Sequence, residues 1–189
     1  PEPALRTAMF LHDIAKPDAF FMKDGEGHFY GHADMSTAVA EKILKRLKAP
    51  VAFREKVLFL IKNHDAPFPE SHFKLKRLLG EIGEEAFFDL VKVKYADNAA
   101  QGTDIALAES GKIAGISEKV KRIIESGECY SLKMLNVSGD ELASIGFKGK
   151  EIGDELNVLL TACMETPSLN DNARLKELAE KHFARQKKQ

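Results

Sequence analysis

The sequence is poor in the features that mark exported, membrane-bound or nucleic-acid-coating proteins. Its 189 residues include only two cysteines, Cys129 and Cys163, which form neither a CxxC pair nor a framework of several bridges. That usage points to a reducing, cytoplasmic compartment. No uncharged run approaches the roughly 20 residues that a membrane span needs, and no basic-then-apolar signal opens the chain. Charge of one sign is also missing. The 28 basic residues are balanced by 29 acidic ones, which excludes a generally basic nucleic-acid binder and leaves room only for local basic patches. Internal repeats and sustained strand-type alternation are absent too. What remains is a chain with 44% hydrophobic residues, enough for a sizeable core. It opens "PEPALRTAMF" without an initiator methionine and enters a core-like helix almost at once, so it reads as a cut through a larger polypeptide.

Helical periodicity runs through nearly every segment, and the expected fold class is all-α. Residues 3–15 read as a helix buried all round, stopped by Pro17. "DAFFMKDGEGHFYGH" reads as a loop or short hairpin, with Asp24, Gly25 and Gly27 supplying turn chemistry. Further helices are expected over about 34–48, with the stripe Val39, Ala40, Ile43, Leu44 and Leu47, and over 51–64, with Phe53, Val57, Leu60 and Ile61. Two more flank a break at Gly83, and another covers 117–126, closed by Gly127. The remainder reads as a short helix capped by Ser138 or Asp140, a turn, a long helix, and a last helix capped by Asn170 or Asp171. The terminal "ARQKKQ" reads as a frayed end. The organisation is a helical domain over 1–127 followed by a helical tail over 128–189.

Polar residues interrupt the apolar stripes at a few places. "FLHDIAKP" puts His12 and Asp13 side by side in an apolar run, where buried charge is costly unless paired or bound to a metal. Adjacent helical residues diverge by about 100°, so the two cannot both leave a buried helix easily. His32 lies at the entrance of the second helix, in line with Ser36, Val39 and Ile43. His64 ends the Phe53–Val57–Ile61 stripe, and Asp97 follows Leu90 and Val93 on the apolar side. Each alone has an ordinary explanation as a cap or a satisfied core group. Together, five imidazole and carboxylate groups from four helices are explained economically by one divalent cation or a pair, with Mg, Mn, Ni, Fe and Zn all admissible.

The order "HD", "GH", "NH" and "YADN" resembles the HD superfamily of metal-dependent phosphohydrolases over about residues 4–100. "LHDIAKP" followed by "FYGHADMS" resembles the HD region of bacterial tRNA nucleotidyltransferases, the CCA-adding and poly(A) polymerase-like enzymes. The stretch "VSGDELASIGFKGKEIGDELNVLLTACMETPSLNDNARLKEL" is similar to their C-terminal tail. The resemblance implies an HD-type helical bundle with a helical tail, and His12, Asp13 and Asp97 as metal ligands. It implies that His32 and His64 complete a second metal position or contact the scissile phosphate. Lys16, one turn beyond Asp13, would meet a phosphate oxygen. Two parts of the family pattern lie outside this sequence: a further ligand histidine on a helix before "HD", and the nucleotidyltransferase head with its paired carboxylates.

The implied activity is metal-dependent hydrolysis of a phosphomonoester, a 2′,3′-cyclic phosphate or another RNA or nucleotide end. Asp13, Lys16, His32 and His64 would be its catalytic residues. The alternative is a non-catalytic body and tail that hold tRNA. Its candidate contacts are Lys74, Lys76 and Arg77, together with Lys148 and Lys150 in the turn "GFKGKEIG", near a helix start that favours phosphate. An alarmone or signalling-dinucleotide hydrolase fits less well. Asp13 is followed by "IAKPD" rather than by acidic residues, and a Gly-Tyr-Pro signature is missing.

Overall fold

The periodicity carries through into helices. The computed structural model describes residues 2–187 and is all-α, apart from one two-stranded hairpin among those residues. The chain divides into two compact units, Pro1–Phe68 with Glu84–Ser117, and Pro69–Gly83 with Glu118–Gln189. This differs from a division at 127/128. Residues 69–83 and 118–127 group with the C-terminal part instead of the N-terminal one.

In the first unit, α1 spans Pro3–Leu11, α2 Lys16–Ala19, α3 His32–Arg46, α4 Val51–Asn63 and α6 Glu84–Gln101. Helix α4 is the central element and packs against α1, α3 and α6. Its Val57, Leu60 and Ile61 are almost wholly buried, each worth about 1.5–3 kcal/mol of apolar burial. The stripe of α3 is rotated from the expected one. His32, Ser36, Ala40 and Leu44, spaced four apart, face the core, while Leu47 is 66% exposed. Between α2 and α3, β1 (Phe21–Lys23) pairs antiparallel with β2 (Glu26–His28). Asp24 and Gly25 both have positive φ, the conformation of the tight turn that a two-residue Asp-Gly hairpin loop adopts.

The expected helix over 3–15 is two elements. Helix α1 ends at Leu11, residues 12–15 form a turn, and Pro17 lies in the first turn of α2. Proline lacks an N–H that a first helical turn does not use, so it starts a helix here instead of stopping one. Nor is α1 buried all round. Ala4, Ala8 and Leu11 face inward, whereas Phe10 is 84% exposed.

In the second unit, α5 (His72–Ile82) ends at Gly83, whose φ is +80°. The expected helix at 117–126 is only the end of α7, Asp104–Glu125, whose first part belongs to the first unit. Ser110, Gly111 and Gly115 weaken the helical signal there, yet α7 runs through them. The unit is completed by α8 (Gly139–Ile145), α9 (Lys150–Glu165) and α10 (Asn172–Gln186). Leu142, Phe147, Leu159, Cys163, Leu175 and Ala179 form its core with Cys129 and Val137.

Ser138 caps α8 in a reciprocal box with Glu141, and Asp171 caps α10 through the Arg174 N–H. Lys176 above all, with the Ser138 backbone N–H and the Asn172 amide, holds the Glu141 carboxyl down at about 2. Helix α10 continues to Gln186, so the first half of "ARQKKQ" is helical, and Lys188 and Gln189 lie outside the described residues.

Candidate metal centre

Four chain segments of the first unit bring the candidate ligands together. His12 and Asp13 follow the end of α1, His32 opens α3, His64 caps the end of α4, and Asp97 lies in the last third of α6. Because residues 12–15 are a turn, the expected divergence of adjacent helical side chains does not apply. His12 Nε2 stands 3.2 Å from Asp13 Oδ2. It stands 3.3 Å from Asp97 Oδ1. On the other side, Asp13 Oδ1 lies 3.4 Å from His32 Nε2 and 3.7 Å from His64 Nε2. The Ser36 hydroxyl accepts from the Ala15 N–H at 3.2 Å and pins this turn against α3.

The three rings are oriented by one rule. His12 Nδ1 lies 2.8 Å from Met9 O, His32 Nδ1 3.0 Å from Phe29 O, and His64 Nδ1 2.7 Å from Ile61 O. A carbonyl oxygen only accepts, so each Nδ1 donates, and in the neutral imidazole each Nε2 then presents a lone pair. Metal-binding histidines are held in this way, the second nitrogen fixing tautomer and ring orientation. The consequence is conflict at the centre. His32 Nε2 and His64 Nε2 are 3.1 Å apart, two lone pairs facing each other. His12 Nε2 and Asp13 Oδ1 are buried and lack a hydrogen-bond partner. Buried acceptors without partners are costly, and a cation among them is one way to satisfy them.

Spacing and field agree with that. Ligand atoms about 2.1 Å from one ion stand about 3.0 Å apart at right angles and about 3.4 Å apart in a tetrahedron, close to the separations seen here. His12, Asp13 and His64 each offer one ligand atom, and all three atoms lie within 4.8 Å of one another. The last turns of α1 and α4 lead into the cluster, and a helix C-terminus favours positive charge. Burial, reinforced by repulsion from His12 and His32, pushes the His64 imidazole down, toward the neutral form that a ligand needs.

Lys16 is not free to face a substrate alone. Its ammonium donates to Asp13 Oδ2 at 2.6 Å, with the side chain 38% exposed at the rim. Two positioning groups escaped the sequence reading. Lys94 is buried on α6 and donates to the carbonyls of His64 and Ala66, fixing the chain that leaves α4. Its signal was its place beside Val93 on the buried face, where a lysine needs a partner. The backbone carbonyls of Met9, Phe29 and Ile61 carry no signal in the side-chain pattern.

The candidate RNA contacts fare differently. Lys76 is fully buried and pairs with Glu128 at 2.8 Å, so it is a structural ion pair and not a surface contact. Lys74 and Arg77 are exposed on α5, with Arg77 3.6 Å from Glu81. Lys148 and Lys150 are exposed, but the Glu151 carboxylate already accepts from the Lys148 N–H at 2.9 Å. An acidic group therefore stands at the helix start where phosphate was expected. Phe87 belongs to the core, packed against Phe68 and Phe88.

Among the described residues no helix is long and apolar enough to cross a membrane. Comparison of the chain with protein-family models, with curated proteins and with solved structures gave no match.

Proposed function

We propose that the protein is a divalent-metal-dependent phosphohydrolase of the HD type, acting on RNA or nucleotide phosphoesters as a 2′,3′-cyclic phosphodiesterase or phosphatase. One observation carries the reading. Three imidazole Nε2 atoms, each with its Nδ1 committed to a backbone carbonyl, converge on the carboxylates of Asp13 and Asp97. A cluster built only for stability would set donors against acceptors. This one sets acceptors against acceptors, which suits a cation.

His12, Asp13 and His64 would hold the ion, with His32 and Asp97 at its border. The imidazoles of His12 and His64 suit Fe, Ni or Zn, and the Asp13 carboxylate suits Mg or Mn. A divalent ion there supplies Lewis acidity and lowers the pKa of a water from about 15.7 toward about 7. The chain's own groups do the rest. Lys16 holds Asp13 in place and brings positive charge to the rim, where a phosphate oxygen would sit. His32 lines the inner wall beside the ion, its ring fixed by the Phe29 carbonyl. The likeness of residues 137–178 to a tRNA nucleotidyltransferase tail supports an RNA end as the substrate.

The test is hydrolysis of 2′,3′-cyclic AMP with Ni²⁺, Mn²⁺ or Mg²⁺. Metal-dependent turnover that Asp13→Ala reduces to background, with helicity retained, is the expected result. No turnover with any of the three ions, or turnover that Asp13→Ala leaves intact, sinks the hydrolase reading.

A further inference from the structure

The hairpin beside the metal centre exposes more aromatic surface than its own folding uses. Both of its faces stay partly exposed. On one, the Phe20 ring, 50% exposed, covers Gly27, where a Cβ would collide with it, and packs 5.4 Å from the Phe29 ring. The Lys16 ammonium lies 5.9 Å from the Phe29 ring centroid. On the other, Phe21 and His28 are cross-strand partners with ring centroids 5.7 Å apart. Tyr30 follows His28 by two residues and stacks on it, with centroids at 5.0 Å and planes 21° apart. Phe21 closes the group 5.5 Å from Tyr30. Yet Phe21 is 40% and Tyr30 67% exposed. A contiguous exposed aromatic patch of this kind marks a binding site more often than it serves folding.

The platform is tied to the metal centre by short, named links. The Phe29 carbonyl holds His32 Nδ1, and Lys16 joins the Phe29 ring to Asp13. Tyr30 precedes His32 by two residues, a chain length of at most about 7 Å. That is comparable to the ribose that separates a base from its phosphate. We infer that the exposed Phe21–His28–Tyr30 face is a stacking platform for the nucleobase of a substrate whose phosphate lies at the His12–Asp13–His64 cluster. The inference rests on the hydrolase reading and adds the place where the base of its nucleotide or RNA substrate is held. Aromatic rings accept any base through its π-face, so the platform selects for a base without selecting which one.

Equilibrium binding to the full chain tests this without turnover, using AMP and ribose 5-phosphate as probes. AMP is expected to bind about 10-fold more tightly or better, the scale of one stacked base. Tyr30→Ala and Phe21→Ala should bring AMP down to the ribose 5-phosphate level while leaving ribose 5-phosphate unchanged, and Tyr30→Phe should keep the preference. Equal affinity for the two probes, binding of neither at millimolar concentration, or a preference that both alanine variants retain overturns the platform. Cyclic AMP hydrolysis without any base preference removes the platform alone. A base preference without hydrolysis removes the hydrolase reading and leaves a nucleotide-binding face.

Discussion

The cluster around His12 differs from the buried polar groups of the second unit. In the second unit Lys76 meets Glu128, and Glu155 meets His182 Nδ1 at 2.7 Å. In the first unit the groups around His12 meet their like, nitrogen lone pairs against each other and against carboxylates. A polypeptide gains nothing in stability from the second arrangement. The contrast sets the His12 cluster apart from the paired groups of the second unit, and the metal-site proposal rests on that difference.

The comparison breaks most visibly at Lys76. Lys76→Ala leaves Glu128 without its buried partner and is expected to cost about 3–5 kcal/mol in urea unfolding. Amide exchange should rise across α9 while metal affinity stays unchanged. A matching loss of metal binding would show that the units are not separate in function.

A smaller effect sharpens the other side. Ni²⁺ or Mn²⁺ at about 100 times its Kd should stabilise the protein by about 2.7 kcal/mol, with exchange slowed in α1 and α4. His12→Ala and His64→Ala should each remove that gain. Metal protection confined to the second unit would refute the assignment.

The smallest effect is a pH dependence. Burial alone would raise the Asp89 carboxyl, but hydrogen bonds from Lys56 and Lys92 outweigh it and hold Asp89 below the usual carboxylate range. A depressed carboxyl contributes stability that is present above its unfolded pKa of about 3.9 and lost as pH falls through its lower folded value. Asp89→Asn should therefore flatten the acid limb of stability below about pH 4 and change little at neutral pH beyond a constant offset. An unchanged acid limb would show that other carboxylates dominate it.

Much of the chain was legible from residue order. The Asp24-Gly25 turn of the first unit, the helix ends at Gly83 and Gly127 of the second, and the burial of His32 and His64 follow from local chemistry and period, as does the turn of Asp97 toward His12. The end of α1 was not legible, because "FLHDIAKP" keeps an apolar pattern through a turn and Pro17 serves either to stop or to start a helix. The full length of α7 does not show in residue order, since Ser110, Gly111 and Gly115 argue against a helix that tertiary packing nevertheless sustains. Lys74, Lys76 and Arg77 looked alike as a basic run, but only burial separates the structural member from the two exposed ones.

By itself, then, the chain determined that it is helical and which five ionisable groups interrupt its apolar faces, because period and residue type are local properties. Only the tertiary structure decided that those groups share one centre with their lone pairs turned inward. Ring orientation depends on the carbonyls of Met9, Phe29 and Ile61, whose positions exist only once α1, α3 and α4 have packed.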